Sequence, residues 1–452
     1  VAHETFDRVI SAGTCVTPAG RLPADVGIKD GRIAALGDLS RAPALERIDA
    51  RNLHVLPGVI DSQVHFREPG LEHKEDLESG TRSAAMGGVT AVFEMPNTKP
   101  ATTTREALLD KLARARGRTW VDHAFFVGAA AENADALDVL ERIPGCAGVK
   151  VFLGSSTGSL LVDDPTVLRK VLRHGRRRIA VHAEHEARLV QRFHLVSGPD
   201  ARVHLHPEWR DADAARMATE GVLKLARELG RAIHVLHVTT ADELPLLAAH
   251  RDVATVEVTP QHLTLSAPDC YERLGTYAQM NPPVRDESHQ AALWRALEQG
   301  LVDVVGSDHA PHTREEKARP YPQSPSGMTG VQTLVPVMLT HVNAGRLSLE
   351  RFVDLTSAGP ARVYDVAGKG RIALGYDADL TLVDLSATRT IENRWIESRA
   401  GWTPFDGMQA RGWPMMTIVR GEVVMRDGEL VGAPRGQPVR FVGALPGSEQ
   451  SA

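Results

Sequence analysis

The chain has 452 residues, 42% of them hydrophobic and 24% charged, with a net charge of −5. That balance is ordinary for a globular protein, is long enough for a barrel of ~250 residues plus a smaller domain, and lacks the basic block that a nucleic-acid partner requires. Cys15, Cys146 and Cys270 are far apart, odd in number and free of any CxxC spacing, so neither a disulfide framework nor a thiolate zinc site is indicated. The N-terminal stretch lacks a charged-then-apolar signal pattern, and no apolar run approaches about 18 residues, so the expectation is a soluble, cytoplasmic protein with no membrane partner.

In chain order, residues 1–57 read as short strands and turns, with Asp30-Gly31 between two alternating runs as a hairpin signal. From 58 to 365 short apolar runs alternate with helical stretches. The candidate strands are 58–65, 88–97, 121–129, 147–154, 178–184, 232–240, 254–260 and 302–310. Helix-like segments such as 77–88, 104–117, 213–230 and 289–300 lie between them, as parallel strands demand. Eight such units in series predict a closed (β/α)8 barrel, with a doubly wound open sheet as the structural alternative. Residues 366–440 return to strand-and-turn character, and Asp427-Gly428 reads as a second tight turn. Residues 1–57 and 366–440 therefore predict one composite β-sandwich domain built from both termini, and the last dozen residues are expected to fray.

The 19 histidines direct the functional argument, because many stand at the ends of apolar runs. Candidate strand 1 ends Gln63-Val64-His65, strand 4 carries Lys150, strand 5 His182 and strand 6 His237. Strand 8 runs through Asp308 to His312. A barrel gathers its C-terminal strand ends at one mouth, so these distant residues can share a site. Alternation turns Gln63 and His65 to one side, as a pair of metal ligands on one strand must be. His234 and His237 are three apart and cannot both face inward on a regular strand. His237, nearer the strand end, is the expected ligand, and His234 a core residue. Lys150 sits in an apolar strand where a bare ammonium is costly. It reads either as a lysine paired to a barrel carboxylate or, beside this many ligating groups, as a carbamate that bridges cations. Histidine, carboxylate and carbamate donors suit one or two Zn2+ ions, with Mn2+ or Co2+ as substitutes. Asp308 has the chemistry of a ligand that also takes a proton from a cation-activated hydroxide and passes it to a leaving nitrogen.

At these residues the chain resembles the cyclic amidohydrolases, and among them the dihydroorotases. The resemblance spans nearly the whole length and rests on GVIDSQVHFREPG, FEMPNTKP, GVKVFLGSSTG, VTPQHLTL, MNPPVR and GSDHAPHT. It implies a metal-bearing barrel with a sheet domain from both termini, and reversible closure of N-carbamoyl-L-aspartate to L-dihydroorotate in pyrimidine biosynthesis. By motif, it implies that Arg67 grips a substrate carboxylate, with Asn97 and His312 as further contacts, and that Asn281 lies near the ring. It implies that Lys150 is carbamylated, that His182 and His237 bind one metal, and that Asp308 binds the other and acts as base. A small-molecule substrate, a homodimer or homotetramer, and association with aspartate carbamoyltransferase are likewise implied. One departure stands out. The family pattern on the first strand is His-x-His, and here it is Gln63-Val64-His65, which makes Gln63 a weak or lost ligand. The GSSTG loop at 154–158 resembles the hydantoinase branch. Two other functions therefore stay open: a hydrolase of hydantoin, dihydropyrimidine or allantoin, and an inactive dihydroorotase-like subunit. A lid is expected around residues 280–289, between strands 7 and 8.

Overall fold

A computed structural model describes residues 5–156 and 160–445. Eight parallel strands form its centre: β1 (Val59–Val64), β2 (Val89–Glu94), β3 (Asp122–Gly128), β4 (Cys146–Phe152), β5 (Ile179–His182), β6 (Ile233–Val235), β7 (Ala254–Val258) and β8 (Val304–Val305). Each pairs with its sequence neighbour in parallel register. The ring closes where the chain after β8 bridges to β1, with the His65 amide donating to the His309 carbonyl at 2.7 Å. This is the expected barrel. Its strands are mostly apolar and almost wholly buried because helices cover them outside and side chains fill them inside. Crossover helices such as Leu77–Met86, Arg105–Ala115, Ala212–Leu229 and Glu287–Glu298 start at Asp or Thr caps, where a side-chain oxygen accepts from the first-turn amides.

Both termini build the second layer. A seven-stranded sheet sets Thr14–Thr17, Gly20–Pro23 and His54–Pro57 beside Leu380–Thr390, Gln409–Val419, Glu422–Arg426 and Glu429–Leu430. A four-stranded sheet of N-terminal segments packs with it around Ile10, Val26, Ile28, Val55, Leu380 and Ile418. The two tight turns expected from the sequence are present. Asp30 (φ 48°) with Gly31 (φ 72°), and Asp427 (φ 52°) with Gly428 (φ 84°), both take the left-handed pair that a two-residue hairpin needs.

Two expectations are corrected. Of the last dozen residues, 441–445 dock instead of fraying, and 446–452 lie outside the described residues. Phe441 is buried at the base of the barrel against Phe93 and beneath the Arg177 guanidinium, and the Leu445 amide donates to the Arg142 carbonyl at 2.8 Å. An apolar ring in a short polar tail is enough to plug an open barrel floor. The 280–289 segment is also no free flap. Met280 and Val284 are buried, His262 Nε2 donates to the Pro282 carbonyl at 3.0 Å, and Arg285 donates to Thr239 and to the Arg210 carbonyl. It forms a wall of the mouth.

Candidate active site

The mouth of the barrel holds a small cavity lined by Gln63, His65, Arg67, Asn97, Lys150, His182, His237, Asn281 and Asp308, together with Phe152, Ser156, Ala310, Ser326 and Gly327. Nine of the ten residues singled out from the sequence thus share one wall. His312 does not. It is fully buried behind Arg67, and its Nε2 lies 2.9 Å from the Ser326 carbonyl and 3.2 Å from Arg67 Nη2. Of the 154–158 loop, Gly154, Ser155 and Ser156 are seen, and Thr157 and Gly158 lie outside the described residues.

Local backbone geometry explains how the groups converge. Arg67 (φ 67°), His237 (φ 37°) and Asp308 (φ 46°) all occupy the left-handed region, which costs a non-glycine residue about 1–3 kcal/mol. For His237 this resolves the spacing problem. β6 stops at Val235, and the turn lets His237 face the cavity. His234, three residues earlier, points into the barrel interior, with Nε2 3.5 Å from Glu257 Oε2. The alternation rule excluded that pairing only for an unbroken strand. His234 is, as expected, a core residue.

The three imidazoles fall into two pairs, His182 with His237 and His65 with the Asp308 carboxylate. His182 Nε2 donates to Glu184 Oε2 at 2.9 Å, and Glu184 is gripped by Arg210. Burial opposes the Glu184 charge, but Arg210 and His182 hold its carboxyl well below the usual carboxylate range. This anchoring leaves His182 Nδ1 as a bare lone pair 3.0 Å from His237 Nε2. In the second pair, His65 Nδ1 donates to Asn97 Oδ1 at 2.8 Å, which leaves His65 Nε2 facing Asp308 Oδ1 at 3.2 Å. Burial lowers the proton affinity of His65, His182 and His237, so these imidazoles are neutral near pH 7. With its proton on Nε2, His237 donates to His182 Nδ1, whereas His65 Nε2 faces the Asp308 carboxylate as acceptor against acceptor, an arrangement that a cation there would satisfy. Among the described residues no three His, Cys, Asp or Glu side chains form a ready cation cage. The donors stand as two pairs, with Lys150 in electrostatic reach of both.

Lys150 is buried and, among the described residues, its amine has no hydrogen-bond or ion-pair partner. Its Nζ sits 4.5 Å from the centre of the Phe152 ring. The salt-bridged alternative is thereby set aside. Burial, only partly offset by Asp308 and Glu257, pushes its ammonium down to about 7. A free amine is thus available near neutrality, as carbamylation requires.

Gln63 Nε2 donates to Asp308 Oδ1 at 3.2 Å, while Gln63 Oε1 is buried without a partner among the described residues. The amide thus donates where its oxygen would have to ligate, so a cation at His65 and Asp308 would be held more loosely than one at His182 and His237. Gln63→His is expected to raise bound divalent metal toward two per chain from about one. Metal analysis after dialysis checks this, and an unchanged content removes position 63 from the ligand set.

Sequence reasoning missed Glu184 and Arg210, which orient His182, and Lys74, which contacts His312 at 3.0 Å. Glu184 lies two residues from its histidine, and that spacing was a usable signal. Arg210 and Lys74 act from loops, and no periodicity marks them.

An eight-stranded barrel with paired imidazoles, a carboxylate and a buried lysine at its C-terminal mouth defines a barrel hydrolase. Residues 54–424 match the amidohydrolase family, whose members are generally metal-dependent, and the chain belongs to it. It is a cyclic amide hydrolase by its relatives. It is 39% identical to a dihydroorotase from Halobacterium salinarum, over 92% of this chain and 96% of that protein. It is 34% identical to an L-hydantoinase from Paenarthrobacter aurescens, over 94% and 96% of the two chains. An allantoinase from Deinococcus radiodurans is also 34% identical, over 96% and 99%. The solved structure of the L-hydantoinase from Arthrobacter aurescens superposes with a TM-score of 0.91 at 32% identity, covering 96% of this chain and 99% of that one. No helix among the described residues is long and apolar enough to cross a membrane.

Proposed function

We propose that the chain is a dihydroorotase, interconverting L-dihydroorotate and N-carbamoyl-L-aspartate. The observation that carries this is the Arg67 guanidinium. It is 1% exposed, lines the cavity, donates through Nε to the Pro311 carbonyl at 3.1 Å, has Nη2 3.2 Å from His312 Nε2, and leaves Nη1 without a partner among the described residues. Burial lowers its pKa to about 10, so it remains charged at neutral pH. A buried, charged, half-satisfied fork is expensive unless substrate completes it, and a ring carboxylate has the matching planar geometry. Lys74 and Lys317 stand on the same side and act, with Arg67, on His312. A neutral hydantoin or dihydropyrimidine ring offers nothing to the Arg67 fork.

The remaining roles follow. His182 Nδ1, His237 Nε2 and carbamylated Lys150 would hold one Zn2+, and His65 and Asp308, with Gln63 a weak or lost ligand, would hold a second more loosely. Mn2+ or Co2+ are acceptable substitutes. A divalent cation there supplies Lewis acidity toward a water and toward the amide carbonyl. Asp308 receives the water's proton and delivers it to the leaving ring nitrogen. Asn97 holds the His65 tautomer through its Oδ1, and Asn281, fixed by His206 at 3.0 Å, borders the ring. The strained backbone at Asp308 aims its carboxylate before substrate arrives. The setting we assign is cytoplasmic pyrimidine synthesis by a homodimer or homotetramer, with aspartate carbamoyltransferase as a candidate partner.

The test compares L-dihydroorotate with 5,6-dihydrouracil, the same ring without its carboxylate, and with hydantoin and allantoin. Arg67→Ala is expected to cut kcat/KM for L-dihydroorotate by about 100-fold and to cost the neutral rings far less. Equal losses favour a neutral-ring hydrolase. No turnover of any ring by the metal-loaded chain favours the non-catalytic subunit.

A further inference from the structure

His312 sits between two cations. Lys74 Nζ lies 3.0 Å from its Nδ1 and Arg67 Nη2 lies 3.2 Å from its Nε2, with the Ser326 carbonyl 2.9 Å from that same Nε2. Imidazole here has two tautomers, and each satisfies different neighbours. With the proton on Nε2, Lys74 donates to Nδ1 and Nε2–H donates to Ser326, so two hydrogen bonds are made. Arg67 Nη2 then faces a donor and is left open. With the proton on Nδ1, His312 accepts from Arg67, but its N–H meets the Lys74 ammonium and a lone pair meets the Ser326 carbonyl. One bond is gained and two are lost. The Nε2–H form makes one more hydrogen bond than the Nδ1–H form, so it is the one this packing selects. Burial, then Arg67, Lys74 and Lys317, keeps the ring neutral, so a doubly protonated ring does not intervene.

The consequence reaches the cavity. We propose that Lys74 is a specificity-determining positioning residue, which fixes the His312 proton on Nε2 and so denies Arg67 an internal acceptor, leaving its fork free for the carboxylate of an anionic cyclic amide. Lys74 itself does not line the cavity, and it is held by Glu316 Oε1 at 3.2 Å. Glu316 is fixed in turn by capping the helix Arg314–Lys317. Gly327 belongs to the same arrangement. At φ 147° it lines the cavity against His312, where a Cβ would come within 3.0 Å of the imidazole Cδ2 and 2.4 Å of the Ala310 carbonyl. Without Lys74, the Nδ1–H form gains Glu316 Oε2, now 3.8 Å away, as an acceptor and Arg67 as a donor. The arginine would then satisfy itself on the protein.

The proposal rests on the acidic-substrate reading, and the experiment separates the two. Lys74→Met is expected to lower the selectivity ratio, kcat/KM for L-dihydroorotate over kcat/KM for 5,6-dihydrouracil, by about ten-fold. The loss should appear in KM for the acidic ring, and Lys74→Arg should restore it. In parallel, 15N spectra of the histidine-labelled, ligand-free protein, assigned with His312→Gln, should show His312 as Nε2–H in the wild type and as Nδ1–H in Lys74→Met. Equal losses on both rings, failure of arginine to rescue, or an Nδ1–H imidazole in the wild type would each overturn the role given to Lys74. A wild type that turns over only neutral rings defeats the substrate reading, while the nitrogen spectra still decide the tautomer.

Discussion

Asp308→Asn is expected to lower kcat for L-dihydroorotate by about 10²–10⁴-fold, the usual worth of a positioned general acid–base. The unfolding midpoint should move by no more than about 3 °C. The small structural cost follows from the backbone. Position 308 sits at φ 46°, and asparagine is among the few side chains that adopt the left-handed region readily. Its Oδ1 also keeps the hydrogen bond that Gln63 Nε2 now gives to the aspartate. The amide is isosteric and cannot take a proton at neutral pH, so chemistry is removed while geometry stays. Asp308→Ala is the poorer experiment, because it adds backbone strain and strands the Gln63 amide at the same time. Steady-state kinetics at matched metal content, with thermal unfolding alongside, checks the prediction. Retained turnover in Asp308→Asn would take the proton transfer away from this residue.

The barrel was legible in the sequence because its strands are buried on both faces and therefore read as apolar runs bounded by turns. The composite sheet was legible from Asp30-Gly31 and Asp427-Gly428, whose chemistry permits the turns they make. What stayed hidden depends on φ and on long-range hydrogen bonds. Nothing in Leu236-His237-Val238 announces that the strand has ended at Val235. The reach of Lys74 to His312 spans 238 residues, and that of Arg210 to Glu184 runs through a loop. His312 shows the limit most clearly. Its motif marks it as functional, yet packing places it behind the arginine, where it acts on the site through a tautomer. Phe441 was misjudged because tail composition was polar on average, and a single ring decides whether such a segment docks.

Of the positive-φ residues other than glycine, Arg67, His237 and Asp308 lie in the cavity wall, and the rest, such as Asp30 and Asp427, serve turns elsewhere. The same wall holds the unpartnered Arg67 Nη1, Gln63 Oε1 and His237 Nδ1. Strain and unmet polar groups thus occur together where substrate and metal would bind. The active centre is maintained at the expense of stability, and the surrounding apolar core offsets it.

Lys150→Met follows from that imbalance and should make the metal-free protein more stable while abolishing turnover. An ordinary lysine has a pKa of 10.5, and burial lowers this one to about 7. Below pH 7 the amine is charged in both the folded and the unfolded chain, and the full cost of the buried charge is present. Between pH 7 and 10.5 the unfolded chain holds a proton that the folded chain does not, so stability rises with pH across that window. Each ten-fold change in proton affinity is worth about 1.4 kcal/mol, which makes the total a few kcal/mol. Methionine fills a similar volume beside Phe152 and carries no charge to bury. Urea unfolding of metal-stripped protein in CO2-depleted buffer should therefore show the variant ahead by a few kcal/mol at pH 6.5, with the gap narrowing steadily toward pH 10. Restoring bicarbonate and zinc should reverse the order at neutral pH, because only the wild type can form the carbamate and gain a cation from it. A constant gap across the pH range would mean that the amine is not the titrating group, and a variant that binds zinc as tightly as the wild type would remove Lys150 from the ligand set.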